Sequence, residues 1–95
     1  MEHSWDPDKN KWLKENRDIS FEKILLNMAN GALWKISEHP NQKRYPGQRI
    51  YYVIVQEYIY LVPFVQKEDE IFLKTIIPSR KATKNYFQER GEKYE

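Results

Sequence analysis

The chain has 95 residues, 16 basic and 14 acidic side chains, a formal net charge of +2 and no cysteine. This length predicts one domain spanning residues 1–95. The lack of cysteine excludes disulfides and thiolate metal sites, and no apolar run is long enough for a membrane span or a signal peptide. We therefore expect a soluble, cytoplasmic protein that does not associate with membranes. The small net charge is not diagnostic of nucleic-acid binding.

The first predicted helix begins in the sequence WDPDKNKWLKEN. Asp6 can cap it, and Pro7 suits its first position because the N–H that proline lacks would have no partner there. Trp12 and Leu13 are predicted to face inward. Asp6 and Asp8 could suggest an acidic metal site, but aspartate is expected at a helix start for capping and dipole reasons. We therefore predict no metal and no cofactor.

The second predicted helix begins after Ser20, a good capping residue, and ends at Asn30-Gly31. Ile19 and Ile24 are placed to pack against each other across the helix start. One apolar face follows helical spacing through Phe21, Ile24, Leu25 and Met28.

The pattern then changes to strands, in the segments ALWKIS, RIYYVIVQ, YIYLVPFV and IFLKTII. Pro63 cannot donate to a neighbouring strand, so its strand is predicted to lie at an edge or to carry a bulge. Alternation along the last strand places Lys74 and Ile76 on one face. A final helix, capped by Ser79, is predicted to end at Gly91. The predicted fold class is α+β, with two N-terminal helices, a three- to four-stranded antiparallel sheet and a C-terminal helix.

The segment IIPSRKATKNY places Arg80, Lys81 and Lys84 at the start of the last helix. Backbone N–H groups favour anions there, so cations at this position oppose the helix dipole. A phosphate held by these cations, with the hydroxyls of Ser79 and Thr83, would explain the pattern. A solvated first turn remains the alternative.

Other basic residues and aromatic residues extend the candidate set. His39, near Lys43 and Arg44, could transfer protons at neutral pH, or it could be an ordinary loop residue. Arg49 opens a strand, where it could be an ordinary exposed residue, and Lys74 either contributes to a binding site or extends its ammonium from a sheet edge. The tyrosines at positions 51, 52, 58 and 60 could stack bases, although cross-strand packing is the more common role.

Three segments, WDPDKNK, ISFEKI and IIPSRKATKNY, resemble the BrnT toxins of bacterial type II toxin–antitoxin systems. The resemblance implies a RelE-like α+β fold, a metal-independent endoribonuclease, and neutralisation by a small antitoxin of ribbon-helix-helix type. Operator DNA would be bound only through that antitoxin. The chain departs from the family at ENRDIS, where a Lys-His-Gly segment is common. The role of that segment in RNA contact or catalysis is either missing here or has passed to Arg17.

On this resemblance, two groups of site residues are predicted. Catalytic roles are assigned to Arg80, Lys81, His39 and Arg49, and RNA binding to Lys84, Lys74, Lys43, Arg44, Ser79 and Thr83. Two alternatives stay open: an inactive module that binds an antitoxin and modulates repression, and a toxin acting on another target such as DNA gyrase.

Overall fold

The computed structural model describes residues 2–91. Its helices and strands are β1 (Glu2–Ser4), α1 (Pro7–Arg17), α2 (Phe21–Ala29), β2 (Leu33–Glu38), β3 (Arg49–Val55), β4 (Tyr58–Lys67), β5 (Glu70–Leu73), β6 (Ile77–Pro78) and α3 (Arg80–Glu89).

The strands form one sheet in the order β1-β5-β4-β3-β2, and β6 also pairs with β4. β1 runs parallel to β5, whereas the other pairs are antiparallel. The α+β class is confirmed, but the expected three- to four-stranded antiparallel sheet is wrong, because the sheet is mixed and has six strands in the described residues. β1 and β6 have three and two residues, too few to show a readable alternation.

The helix starts follow the predicted caps. The side chains of Asp6, Ser20 and Ser79 each accept a hydrogen bond from a backbone N–H in the first turn of their helices, at 2.9, 3.1 and 3.0 Å. Each bond satisfies a donor that has no partner within the helix. Gly31 follows α2 with φ 90°, a conformation that glycine adopts without strain.

One face of the sheet, here called the core face, packs against α1 and α2. Its buried cluster is Leu13, Ile19, Phe21, Ile24, Tyr51, Val53, Val55, Val62, Phe64, Ile71, Leu73 and Ile76. Leu13 points inward as predicted, whereas Trp12 is 43% exposed and its inward prediction is wrong. The two side chains are adjacent in a helix, so they point about 100° apart.

A buried asparagine joins the two N-terminal helices. The Asn10 side-chain oxygen accepts a hydrogen bond from the backbone N–H of Phe21, and its amide donates to Glu22. The Asn10 bond and a backbone hydrogen bond lower the pKa of the Glu22 carboxyl, with Lys14 adding to the effect. Asn10 therefore supplies α2 with a second cap from a different helix.

The opposite face of the sheet, here called the groove face, packs against α3. Directly paired residues share a face, so the pair of Tyr52 with Leu61 lies opposite the pair of Tyr51 with Val62. α3 contacts β4. The Thr83 hydroxyl anchors it there by accepting from the backbone N–H of Ile59 at 2.8 Å and donating to the Ser79 carbonyl at 2.7 Å.

Pro63 lies in a central strand, so of the two predicted placements, an edge strand or a bulge, the edge strand is wrong. Its carbonyl accepts a hydrogen bond from the Lys74 N–H at 2.8 Å. Along that side of β4, β5 ends at Leu73 and β6 begins only at Ile77. The missing proline N–H therefore falls in a break between two partner strands, where no ladder bond is lost.

The same break overturns the predicted faces of the last strand. Residues 74–76 belong to no strand. Leu73 and Ile76 are three positions apart and would face opposite sides of a regular strand, yet both are fully buried in the core cluster, so alternation does not continue through the segment. The predicted shared face of Lys74, which is exposed, and Ile76 is therefore wrong.

The hairpin between β3 and β4 turns at Gln56-Glu57, with φ 51° and 64°. Positive φ at both central residues is what a type I′ turn requires, although neither residue favours it. Among the described residues, the helices are all too short or too polar to cross a membrane.

Candidate nucleic-acid interface

The start of α3 is basic and exposed. Arg80, Lys81 and Lys84 are all exposed, and the first turn contains no acidic residue. The cap by Ser79 confirms that these cations lie at a helix N-terminus. In the folded protein these cations therefore lie at the positive end of the helix dipole, which repels them. An anion bound nearby would reduce this repulsion.

A shallow groove of about 220 Å³ lies between α3 and the groove face of the sheet. Its lining residues are Trp34, Lys35, Tyr52, Leu61, Ser79, Lys81, Ala82 and Asn85. The groove thus combines two lysines from different elements with two aromatic rings. Such a combination suits a single-stranded nucleic acid, whose phosphates bind cations and whose bases stack on rings.

The local geometry of β2 fixes one side of the groove. The pairing with β3 shifts between Leu33 and Lys35, so Trp34 is an extra residue in this strand. The Lys35 Nζ lies 4.3 Å from the centre of the Trp34 ring and 4.9 Å from that of Tyr52. Tyr86 of α3 packs edge-on against Trp34 at 5.1 Å between ring centres. The Lys35 ammonium is therefore positioned by two ring contacts.

No carboxylate neutralises the two lysines of the groove within residues 2–91. The ion pairs formed by described residues join Lys11 with Glu15 and Lys14 with Glu22, on α1 and α2. Lys35 and Lys81 therefore keep positive charge available for an external anion.

The structure separates the predicted residues of the last helix. Lys81 and Ser79 line the groove, whereas Arg80 and Lys84 are exposed beside it without lining it. Thr83 is fully buried and its hydroxyl is engaged in two hydrogen bonds. The prediction that Thr83 binds RNA is therefore corrected, because its role is to hold α3 on β4.

The predicted loop residues do not line the groove. The His39 Nδ1 accepts a hydrogen bond from the Asn41 N–H at 3.0 Å, and its ring packs against Tyr45 at 4.4 Å between centres. Lys43 and Arg44 are exposed in the same loop. His39 thus helps to organise the loop, and one of its two nitrogens is already engaged.

Arg49 and Lys74 also lie apart from the groove. Arg49 is paired with Phe64 and lies over its ring at 5.6 Å, which places it on the core face of the sheet. Lys74 follows β5, with its ammonium 5.6 Å from the ring centre of Phe72. Neither residue contributes to the groove lining.

The four tyrosines divide between the two faces. Tyr51 stacks on Phe64 with ring centres 4.0 Å apart, and Tyr58 and Tyr60 pack edge-on at 5.8 Å. Burial raises the pKa of Tyr51 and of Tyr60. Packing therefore explains these three, whereas Tyr52 alone of the four lines the groove.

Arg17, from the segment that departs from the BrnT pattern, has a structural contact. Its Nη1 donates to the Ile76 carbonyl at 2.6 Å, and its guanidinium lies 5.0 Å from the ring centre of Trp12. It thus links α1 to the segment that leads into α3, and it does not line the groove.

Sequence reasoning missed Lys35, Trp34 and Asn85 as groove residues. Asn85 lies one helical turn after Lys81, so helical spacing from the basic segment could have found it. Trp34 and Lys35 could not be found in this way, since they meet α3 only through the order of the strands and the bulge at Trp34.

A larger depression of about 690 Å³ lies near β1 and the β4–β5 turn. Its lining residues are Glu2, Val65, Lys67, Glu68, Asp69, Glu70 and Phe72. Four carboxylates would repel phosphate, so the smaller basic groove is the better candidate for nucleic acid. Within residues 2–91, no three His, Asp or Glu side chains gather closely enough to hold a metal ion.

Comparison of the chain with known protein families, with curated proteins and with solved structures finds no match. The candidate function therefore depends on the geometry of the groove and on the three segments that resemble BrnT toxins.

Proposed function

We propose that this protein is the toxin of a type II toxin–antitoxin system and an endoribonuclease that needs no metal ion. A cognate ribbon-helix-helix antitoxin neutralises it and carries the complex to operator DNA. The proposal is supported by the BrnT-like segments and by one structural observation: Lys35 and Lys81 line a single groove together with Trp34 and Tyr52.

The groove suits RNA through two kinds of contact. The ammonium groups of Lys35 and Lys81 can bind successive phosphates, and they can stabilise the negative charge that develops on phosphorus oxygens during cleavage. A base can contact the ring of Trp34 or Tyr52, a contact worth about 1–3 kcal/mol per base in single-strand binders. Unpaired bases are needed for such stacking, so single-stranded RNA is the expected substrate.

Metal-independent cleavage uses the substrate's own 2′-hydroxyl as nucleophile. A base removes its proton, the new bond from O2′ to phosphorus forms, and the bond from phosphorus to O5′ breaks as an acid protonates O5′. Tyr52 lines the groove together with the two lysines and carries a hydroxyl that can transfer a proton, and Ser37 donates a hydrogen bond to this hydroxyl at 3.3 Å. Tyr52 is therefore our candidate acid, and the groove supplies no comparable candidate for the base.

The test is an RNA cleavage assay with purified protein, single-stranded RNA and a metal chelator. Lys81→Ala and Lys35→Ala are each expected to lower the cleavage rate by about 10²-fold, since each removes charge stabilisation at phosphorus. Lys11→Ala is the matched control, because Lys11 is exposed on α1 and paired with Glu15. Cleavage that survives both groove substitutions would rule out the groove as the active site.

The same variants report on RNA binding. Each groove lysine that contacts a phosphate contributes about one to the slope of log affinity against log salt. Lys35→Ala and Lys81→Ala are expected to reduce this slope, and Lys11→Ala to leave it unchanged. Equal slopes in all three variants would show that the bound RNA avoids the groove.

A second function is favoured by one observation. The described residues that line the groove include no imidazole and no carboxylate, which are common proton-transfer groups. A non-enzymatic module that binds an antitoxin-like partner would need neither. Two observations would favour this module over the ribonuclease: the purified wild-type protein leaves RNA uncut, and its expression alone leaves cell growth unaffected.

A further inference from the structure

β2 is the outer strand of the sheet beside the groove, and its C-terminal half has an open edge. The His39 N–H donates to the Gln48 carbonyl at 2.9 Å, toward the β3 side. Residues two apart in a strand point their backbone groups the same way, so Ser37 and Lys35 also face β3. The N–H and C=O groups of Ile36 and Glu38 therefore point away from the sheet.

These outward groups have no hydrogen-bond partner among the described residues, and an open edge of this kind can pair with another strand. The N-terminal half of β2 is different, because the bulge at Trp34 disrupts regular pairing there. The usable edge thus runs from Lys35 to Glu38 and offers two donors and two acceptors.

The side chains along this edge define the chemistry of a partner. Lys35 is paired with Tyr52 and lies on the groove face, where no described carboxylate neutralises it. Ile36 is paired with Tyr51 on the core face and is 42% exposed. A strand added here would place alternate side chains beside a cation and beside an exposed apolar group.

We propose that the edge of β2 from Lys35 to Glu38 binds an extended segment of a partner polypeptide. In this segment an acidic residue faces Lys35, and the next residue is apolar and faces Ile36. The charge of the groove favours this partner over a second copy of the chain, since pairing two β2 edges about a two-fold axis would bring two cationic grooves to the same side.

Binding of a partner strand at β2 does not depend on the proposed function. Only its consequence, inhibition of the ribonuclease, rests on that proposal. An acidic side chain beside Lys35 would neutralise one of the two groove cations and narrow the access of RNA to Trp34 and Tyr52. Strand addition at β2 is therefore a means by which a partner could inhibit the groove without entering it.

The test uses the full chain labelled for amide NMR and a synthetic peptide of about eight residues alternating Glu and Val. The expected result is protection of the Ile36 and Glu38 amides from exchange when the peptide binds. A peptide alternating Lys and Val is the matched control and should bind at least about tenfold more weakly. Absence of binding, or shifts near Lys35 and Lys81 without protection of those two amides, would overturn the proposal.

Two variants separate the backbone and charge contributions. Ile36→Pro removes an outward N–H without removing a hydrogen bond to β3, and should lower the affinity for the Glu–Val peptide by about tenfold or more. Ile36→Val keeps this N–H and should not lower the affinity. Lys35→Glu should reverse the preference between the two peptides, and it remains informative if the proline variant fails to fold. An unchanged preference would overturn the charge assignment.

Self-association would also overturn the proposal. If the Ile36 and Glu38 amides become protected at high protein concentration without peptide, the occupant of the edge is a second copy. RNA cleavage is measured separately without peptide. Absence of RNA cleavage by the wild-type protein, together with binding of the Glu–Val peptide, would refute the proposed ribonuclease and leave the edge site standing. RNA cleavage by the wild-type protein without peptide binding would refute the edge site alone.

Discussion

The two faces of the sheet differ in what covers them. On the core face, α1 and α2 bury a continuous apolar cluster that includes Phe21 and Leu73, both fully buried. On the groove face, α3 covers β4 and leaves Trp34, Lys35 and Tyr52 along an open groove. The core face therefore contributes mainly to stability, and the groove face carries the candidate binding site. Substitutions on the two faces should affect the free energy of unfolding and RNA binding to different extents.

The largest expected effect is on the core face. Phe21→Ala removes a fully buried ring that stacks on Trp5 with centres 5.5 Å apart, and should lower the free energy of unfolding by about 3–5 kcal/mol. Leu26→Ala, on the same helix and 60% exposed, should change it by less than about 0.5 kcal/mol. Urea denaturation measures both. Equal losses would mean that α2 presents a different face to the sheet.

A smaller effect is expected where α3 meets the sheet. Thr83→Val keeps the shape of the side chain but leaves the Ile59 N–H and the Ser79 carbonyl without their hydroxyl partner. We expect a loss of about 1–3 kcal/mol in the free energy of unfolding, together with weaker RNA binding, because the position of Lys81 depends on α3. Thr83→Ser retains the hydroxyl and should keep RNA binding. Weak RNA binding by the serine variant as well would refute an anchoring role for the hydroxyl.

The smallest effect concerns pH. Burial lowers the pKa of His3 on β1, and its Nε2 is buried without a hydrogen-bond partner within the described part of the chain. A lowered pKa favours the neutral form in the folded state, so stability is complete above the unfolded pKa of about 6.5 and is lost as pH falls below it.

Urea denaturation at about pH 7.5 and about pH 5.5 checks this expectation. His3→Leu should remove part of the loss in stability that the wild type shows at the lower pH. His39→Ala is the control, because His39 lies in an exposed loop. This variant should keep the loss of stability at the lower pH that is attributed to His3. An identical pH dependence in His3→Leu and wild type would contradict the prediction.

Local chemistry explains why some of the fold was predictable. Asp6, Ser20 and Ser79 were recognisable as caps because each helix start needs an acceptor for its free N–H groups. The turn at Pro46-Gly47 depends on the same kind of local chemistry, since proline suits its first central position and Gly47 has the positive φ, 75°, that a type II turn needs at the second. Such features depend on a few neighbouring residues, so they can be read without knowing the partners in space.

Other features depended on distant partners and were missed. β1 forms because Glu2–Ser4 lies beside β5, with Ser4 donating to the Glu70 carboxylate at 2.7 Å. Pro63 is tolerated in a central strand because the two strands beside it leave a break at that position. Residues 74–76 interrupt the alternation because they cross that break, which no periodicity in the segment could reveal.

The sequence by itself determined the basic start of α3, its cap and the lack of acidic residues in its first turn, because these are fixed by neighbouring residues in one helix. Only the tertiary structure decided which cation faces a groove, Lys81 and not Arg80 or Lys84, and which residues meet it from the sheet. Lys35 is 46 positions away in the chain, since 81 − 35 = 46. Strand order and the bulge at Trp34 bring Lys35 into the same groove lining as Lys81, and long-range strand pairing leaves no signal in a local pattern.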